Sequence, residues 1–466
     1  MPPADWMRTR YDRETVSLDA SRTDLAGLNR RHLWNPFTQM KGYLEAGPLV
    51  IERGEGVRLY DVEGNSYLDG NSSLWVNIHG HNRRELNEAI TAQLGMIAHS
   101  TLLGMGNVPA IELAAGLAGI APAGLNKVFY SDSGATAVEI GLKIAYAYWR
   151  RLGRPQKSGF LSFRNAYHGD TVGAMSLGGI DLFHDEFGDL LFPVERAPYP
   201  NAYRFDGSEQ ECCRAGLAAV AGILERKAER IACVVVEPLV QGAAGMVTMP
   251  PGFLAGLAQL SRQHDVLLLA DEVATGFGRT GRMFACEHEA VAPDILAIGK
   301  GLTAGYLPVA ATLTTDRIYD AFWGEHSELK TFFHGHSFTG NQLGCAVALA
   351  SLELFRKDRL VERVQVLAAQ VADQLKPVAA LDHVGDVRQQ GLMVGIELVE
   401  DRQTARPYPW ELAVGAQVCR RARELGMITR PLGDVVVFMP PPAAEPEDLQ
   451  AMTAILLRAI REVTER

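Results

Sequence analysis

Apolar and polar positions along the chain follow two periods. Short runs of β-branched and aliphatic residues fall at 127–130, 160–163, 233–236 and 266–270, and amphipathic stretches at 137–150, 212–226 and 253–264 lie between them. A short apolar run without a polar face marks a strand covered on both sides, and the intervening helical periodicity supplies the covering layers. The pattern predicts an α/β fold on a mostly parallel central sheet. From about residue 340, helical stretches at 345–355 and 361–375 lead to strand-like runs near 391–398 and 435–439, so a smaller α/β domain is expected there. The division expected is an N-terminal segment over residues 1–70 contributing to the small lobe, a large domain over 71–340 and a C-terminal small domain over 341–466.

In open parallel sheets ligands bind beyond the carboxyl ends of the strands. The residues just after the apolar runs are chemically rich: Ser131 to Gly134, Arg164 to Asp170, Glu237-Pro238 and Asp271-Glu272. The segment Val128 to Glu139 ends a strand in small polar residues and opens directly into a helix, where Ser133 and Gly134 let backbone N–H groups approach an anion. It reads as a phosphate seat, and equally as an ordinary helix cap with no ligand. Asp271 closes the apolar run Val266 to Ala270. A carboxylate there can hold a cofactor's ring nitrogen protonated; taken alone it is more readily a helix cap or a solvent-facing acid. Gly276-Phe-Gly278-Arg-Thr-Gly281 matches the dinucleotide fingerprint, yet no long helical pattern follows, as a phosphate-binding turn of that kind requires.

Lys300 stands between Gly299 and Gly301 at the end of a strand-like run from Pro293. Glycine on both sides leaves room for a planar adduct, and a partly desolvated lysine loses its proton readily enough to form an imine. Asp294 excludes the GxxxxGK phosphate loop. A turn lysine in solvent is the alternative for Lys300 alone, but Lys300 lies 29 residues beyond Asp271, and phosphate seat, ring acid and lysine all fall at strand ends of one sheet.

Composition narrows the classes. The chain has 466 residues and 47 % hydrophobic content, enough for more than one typical domain. A net charge of −10 with no block of like charge argues against a nucleic-acid surface and for small-molecule substrates. The six cysteines form no CxxC pair, so free thiols in a reducing compartment, the cytoplasm, are expected. His79-Gly-His81 and His334-Gly-His336 have no carboxylate or cysteine at ligand spacing, and no metal is expected. The first thirty residues carry Asp5, Asp12, Glu14, Asp19 and Asp24 without a signal-like apolar run, and no later segment is apolar enough to span a membrane.

Nearly the whole chain beyond residue 30 resembles the class III, fold-type-I aminotransferases that depend on pyridoxal 5′-phosphate. The resemblance is carried by Arg31 to Thr38, Ser72 to Gly80, Ser131 to Gly134, Arg164 to Thr171, Glu237 to Gly242, Asp271 to Gly281, Gly299 to Gly301, Phe333 to Gly335 and Thr429 to Pro441. The Trp-x-Pro-x-Thr, Asn-x-Tyr-His-Gly-Asp and Thr-Arg-Pro segments resemble the biotin-pathway branch, which implies 8-amino-7-oxononanoate as acceptor; a general ω-amino-acid or diamine aminotransferase is the runner-up. The resemblance implies that Lys300 forms the Schiff base, Asp271 meets the pyridine nitrogen, Ser133 and Gly134 bind the phosphate, and Tyr167 stacks on the ring. It implies a homodimer with shared active sites, in which Gly335, His336 and Ser337 reach the second subunit's cofactor and substrate. Arg430 corresponds to the arginine that meets the substrate carboxylate. Asp170 and Arg279 fall in active-site segments, and Phe37, Leu74 and Trp75 are expected to line the substrate channel.

Relatives that use S-adenosylmethionine as amino donor carry aromatic or hydroxylated residues where this chain has Phe37, Leu74, Leu432 and Val437. Base stacking on a ring is worth about 1–3 kcal/mol, so adenine would be held less well. The segments from His99 to Met105, from Gly305 to Pro308 and from Phe332 to Ser337 also resemble the branch that takes its amino group from L-lysine. L-lysine is the expected donor and S-adenosylmethionine the alternative. A nicotinamide-dependent oxidoreductase would leave Lys300 without a purpose, and a non-catalytic binding protein would not need both Asp271 and Lys300.

Overall fold

The computed structural model describes residues 25–465, so the acidic stretch of the first 24 residues lies outside it. Seven strands form the main sheet: β1 (Leu125–Ser131), β2 (Gly159–Phe163), β3 (Glu195–Ala197), β4 (Ile231–Val236), β5 (Leu267–Asp271), β6 (Ile295–Ile298) and β7 (Ala310–Thr315). Their order is β1-β7-β6-β5-β4-β2-β3, parallel throughout except for β7, which runs against both neighbours.

Alternate residues of the central strands feed two separate cores. Val234, Val236, Leu268, Ala270, Leu296 and Ile298 pack on one face, and Cys233, Val235, Leu267, Leu269, Ile295 and Ala297 on the other. Both sides of the sheet are therefore dry, which is why the strands read as unbroken apolar runs. The helix Gly134–Arg151 lies so close to one face that a Cβ on Gly141 would come within 2.4 Å of Leu269 Cδ1.

A second core lies towards the C-terminal end. The antiparallel strands Val384–Gln390, Met393–Leu398, Val435–Phe438 and Pro431–Leu432 form one sheet, and the helices Leu360–Ala379, Val414–Glu424 and Pro446–Thr464 share its core. Val57 and Leu68 belong to the same core. Ser66–Asp69 pairs in parallel with Met427–Ile428, placing Leu68 beside Met427 and Asp69 beside Ile428. The helix Gln342–Lys357 does not follow the boundary drawn at residue 340. Its buried Cys345, Val347, Ala348, Leu354 and Phe355 join the core of the large sheet, because it packs on the helices Arg84–Met96 and Val108–Ile120.

No helix among the described residues is long and apolar enough to cross a membrane. All six cysteines are buried and unpaired.

Candidate active site

The carboxyl ends of β1, β2, β4, β5 and β6 open into a cavity of about 500 Å³. Its wall includes Ser133 and Gly134 after β1, Tyr167 and Asp170 after β2, Asp271 at the end of β5 and Lys300 just beyond β6. Phe37, Leu74 and Trp75 close it from the N-terminal part of the chain, and Arg430 from the C-terminal part. These ten positions, dispersed over nearly 400 residues, line one cavity.

At the phosphate end, Ser133 caps the helix Gly134–Arg151 reciprocally with Thr136: its hydroxyl accepts from Thr136 N–H at 3.3 Å, and its own N–H donates to Thr136 Oγ1 at 3.1 Å. A Cβ on Gly134 would fall 2.4 Å from Val273 Cγ1, so the position is kept bare by its neighbour across the cavity.

In the middle of the cavity, parallel pairing sets Asp271 level with Ala297. One Asp271 oxygen meets His168 Nδ1 at 2.7 Å and the other accepts from Val273 N–H at 3.1 Å. Burial pulls the His168 pKa down, but its hydrogen bond to Asp271 and the charges of Asp271 and Glu237 raise it overall. His168 Nε2 is buried without a hydrogen-bond partner.

Glu237 receives N–H groups from Tyr167 at 3.1 Å and Gly242 at 3.0 Å, and burial pushes its pKa up to about 7. The Tyr167 hydroxyl donates to Asp170 at 2.8 Å. Lys300 sits in left-handed backbone with φ 42°, its amine 4.7 Å from the centre of the Trp75 ring. Burial depresses its pKa, against the pull of Asp271 and Glu237.

A planar, anionic, carbonyl-bearing group suits these residues. The capped helix start offers N–H groups to a phosphate, Val273 and Tyr167 line the space beside it, Asp271 lines it with a carboxylate held by His168, and Lys300 offers an amine inclined to be neutral. Pyridoxal phosphate fits the chemistry of this donor set.

Other expected positions lie elsewhere. Arg279 is fully buried behind the wall, its guanidinium donating to Ser72 Oγ and to the carbonyls of Asn77 and Pro440. The structure thus replaces the expected substrate contact with a contact to the chain itself. Gly335, His336 and Ser337 are not on this chain's cavity wall; the His336 ring lies 3.9 Å from Asp132. The paired histidines are separated in use: His79 meets Ser351, His81 meets Asp69 and His334 meets Lys143. Among the described residues no cluster of His, Cys, Asp or Glu could hold a metal. Val437 is buried in its strand, whereas Leu432 reaches the wall. Gly276 to Gly281 form turns leading to a short 3₁₀ helix at Ala285–Glu289, with no phosphate-binding helix behind them.

Sequence reasoning gave no role to His168, Glu237, Val273 or Phe183, all on the wall. His168 and Glu237 stood in quoted motifs at strand ends, and that position was the available signal. Phe183, edge-on to Phe37 at 5.3 Å and to Tyr167 at 6.2 Å, carried none.

The family model for Aminotransferase class-III matches residues 41–460. An adenosylmethionine-8-amino-7-oxononanoate aminotransferase of Anoxybacillus flavithermus is 55 % identical, covering 94 % of this chain and 96 % of that protein. The crystal structure of the enzyme of the same name from Methanocaldococcus jannaschii superposes with a TM-score of 0.91 at 46 % identity, covering 95 % of this chain and 100 % of that one. An omega transaminase from Pseudomonas jessenii, solved in complex with PMP, gives 0.91 at 32 % identity, covering 95 % and 98 %.

The buried Glu237 has a consequence for stability. Its carboxyl binds a proton more tightly in the folded chain, about 7, than at its ordinary value of 4.5, so between these values unfolding releases a proton and stability falls as pH rises. Glu237→Gln removes that loss. Urea denaturation of the cofactor-free protein at pH 5, 6 and 7 should show the variant gaining on wild type as pH increases; a constant difference would contradict the assignment.

Proposed function

We infer the substrates of this chain from one premise: it belongs to the class III aminotransferases, enzymes that depend on pyridoxal phosphate. We propose that its acceptor is 8-amino-7-oxononanoate, converted to 7,8-diaminononanoate in biotin biosynthesis. The observation that carries this reading is Arg430. Its guanidinium has no hydrogen-bond or ion-pair partner among the described residues, and it stands on the wall of a mainly apolar cavity shared with Lys300. An aliphatic oxo acid with one terminal carboxylate matches that arrangement, and the names of the relatives support it.

When bound, the cofactor supplies the carbonyl that takes up the amino group and the ring that accepts the electron pair freed at the substrate carbon. Lys300, its pKa lowered by burial, would take the proton from that carbon and return it to the carbon on the far side of the transferred nitrogen. Asp271 holds the ring nitrogen's proton, and His168 holds Asp271. Tyr167 offers an aromatic face that also keeps water away, while Ser133, Gly134 and the helix start bind the phosphate. Arg430 fixes the carboxylate, Phe37, Leu74 and Trp75 accompany the aliphatic chain, and Asp170, oriented by the Tyr167 hydroxyl, presents a carboxylate to the substrate's ammonium.

The active unit in this reading is a cytoplasmic homodimer, with Gly335, His336 and Ser337 serving the second subunit's cavity. For the donor, L-lysine is favoured: of Phe37, Leu74, Leu432 and Val437, Phe37 alone offers a ring on which adenine could stack. S-adenosylmethionine is the second reading, favoured by the relatives' names.

Three measurements test this. Borohydride reduction should attach the cofactor to the peptide containing Lys300, and Lys300→Ala should fold but not turn over; labelling of a different lysine would refute the mechanism. Arg430→Ala should raise KM for the acceptor at least tenfold, since charge-assisted hydrogen bonds contribute about 1.5–3 kcal/mol each, and should lose discrimination against an acceptor lacking the carboxylate. An unaltered preference assigns Arg430 elsewhere. Single-turnover formation of the amine form of the cofactor should be faster with L-lysine than with S-adenosylmethionine at equal concentration; the reverse order overturns the donor and leaves the transaminase.

A further inference from the structure

Ser72, Ser73, Leu74 and Trp75 are four consecutive non-glycine residues with positive φ: 46°, 46°, 69° and 69°. In this conformation Cβ crowds the following carbonyl, so such a run persists only where its surroundings hold it in place. Two buried side chains hold it.

From one side, Asp69 accepts from Ser73 N–H at 2.9 Å and Ser73 Oγ at 2.8 Å. From the other, Arg279 Nη1 donates to Ser72 Oγ at 3.0 Å and to the Pro440 carbonyl at 3.1 Å, and Nη2 donates to the Asn77 carbonyl at 2.8 Å. The Ser72 hydroxyl itself donates to the Met439 carbonyl at 2.6 Å. Arg279 has no ion-pair partner among the described residues, so the buried cation is held by the oxygens of the two segments it joins.

The first of those segments reaches the cavity wall through Leu74 and Trp75, and the second lies behind it, joined to the strand that follows Arg430. The left-handed turn puts Leu74 on the wall and Trp75 over the Lys300 amine, with the indole N–H fixed to Asn71 Oδ1 at 3.0 Å. The segment through Met439 and Pro440 continues from Val435–Phe438, where Val437 N–H donates to the Arg430 carbonyl at 3.2 Å.

We propose that Arg279 is a positioning residue for chain length: by clamping the Ser72–Trp75 turn to Met439 and Pro440, it sets the span between Lys300 and Arg430 that a substrate's aliphatic chain must bridge. This rests on the reading that Arg430 takes the acceptor's carboxylate. It departs from a direct role for Arg279, whose Nη1 and Nη2 both donate to the protein.

The test compares Arg279→Met, Arg279→Lys and Ser72→Ala holoenzymes on 8-amino-7-oxononanoate and on homologues one and two methylenes shorter or longer. One methylene in a fitted apolar channel discriminates by roughly 10–200-fold, and Arg279→Met should erase about tenfold of that, through KM more than kcat. Ser72→Ala should flatten the profile in the same sense and add little in the double variant, because both break one clamp. In the absence of substrate, the emission assigned to Trp75 by difference from Trp75→Phe should shift in Arg279→Met and recover partly in Arg279→Lys.

A uniform fall in kcat with an unchanged chain-length profile would overturn the proposal. So would a wild-type profile in Ser72→Ala, which also serves if Arg279→Met does not fold. If wild type turns over none of the carboxylate acceptors, the acceptor reading fails instead, and the Trp75 emission still reports whether Arg279 holds the turn.

Discussion

The register between β5 and β6 is the constraint on which the rest of the site depends. Asp271 pairs with Ala297, and Glu272 N–H donates to the Ala297 carbonyl at 2.9 Å, so the two strands end almost level. Three residues beyond that pairing the chain delivers Lys300 to the space that Asp271 faces. A slip of one residue would turn every side chain of the strand to the opposite core, removing Asp271 from the cavity and burying a carboxylate among aliphatic groups. The two dry cores forbid that slip, and so the packing of the sheet and the placement of acid and amine are one specification.

Much of this was legible in the sequence because covered parallel strands leave an unmistakable trace: Val234, Val235 and Val236, or Leu267, Leu268 and Leu269, have no polar face to hide. β7 left none. Its Ala-Ala-Thr-Leu-Thr-Thr reads as polar, yet Thr312 is fully buried with its hydroxyl donating to the Ala137 carbonyl, and Thr314 donates to that of Asp294. Threonine solves locally a hydrogen-bonding demand that the pattern of apolar residues cannot register.

The site shows the same division. Residues at strand ends were found because topology alone puts them near a ligand. His168 and Glu237 stand at strand ends too, but their roles were not legible because they are defined by partners about 100 and 70 residues away in sequence. Arg279 was misplaced for a related reason: adjacency to Asp271 in sequence says nothing about which side of the wall a long side chain takes. Its backbone belongs to the active-site segment and its guanidinium to the scaffold behind it. Cavity chemistry here is a balance of buried charge, with His168 set between two carboxylates and Lys300 within their reach, and most of that balance is non-local.

The pairing of Ser66–Asp69 with Met427–Ile428 reaches across most of the chain, and Met439 N–H returns to the Gly70 carbonyl at 2.9 Å. Proteins emerge from the ribosome in order, and domains form as their residues become available. All seven strands of the large sheet have been made by residue 315, with Asp271 and Lys300 already among them. The partner of Ser66–Asp69, the clamp at Met439 and Pro440, and Arg430 itself arrive only in the last tenth of synthesis. The end of the cavity that holds Lys300 and Asp271 is thus assembled well before the end that holds Arg430, and a chain released early would carry the lysine and the acid inside an unfinished wall.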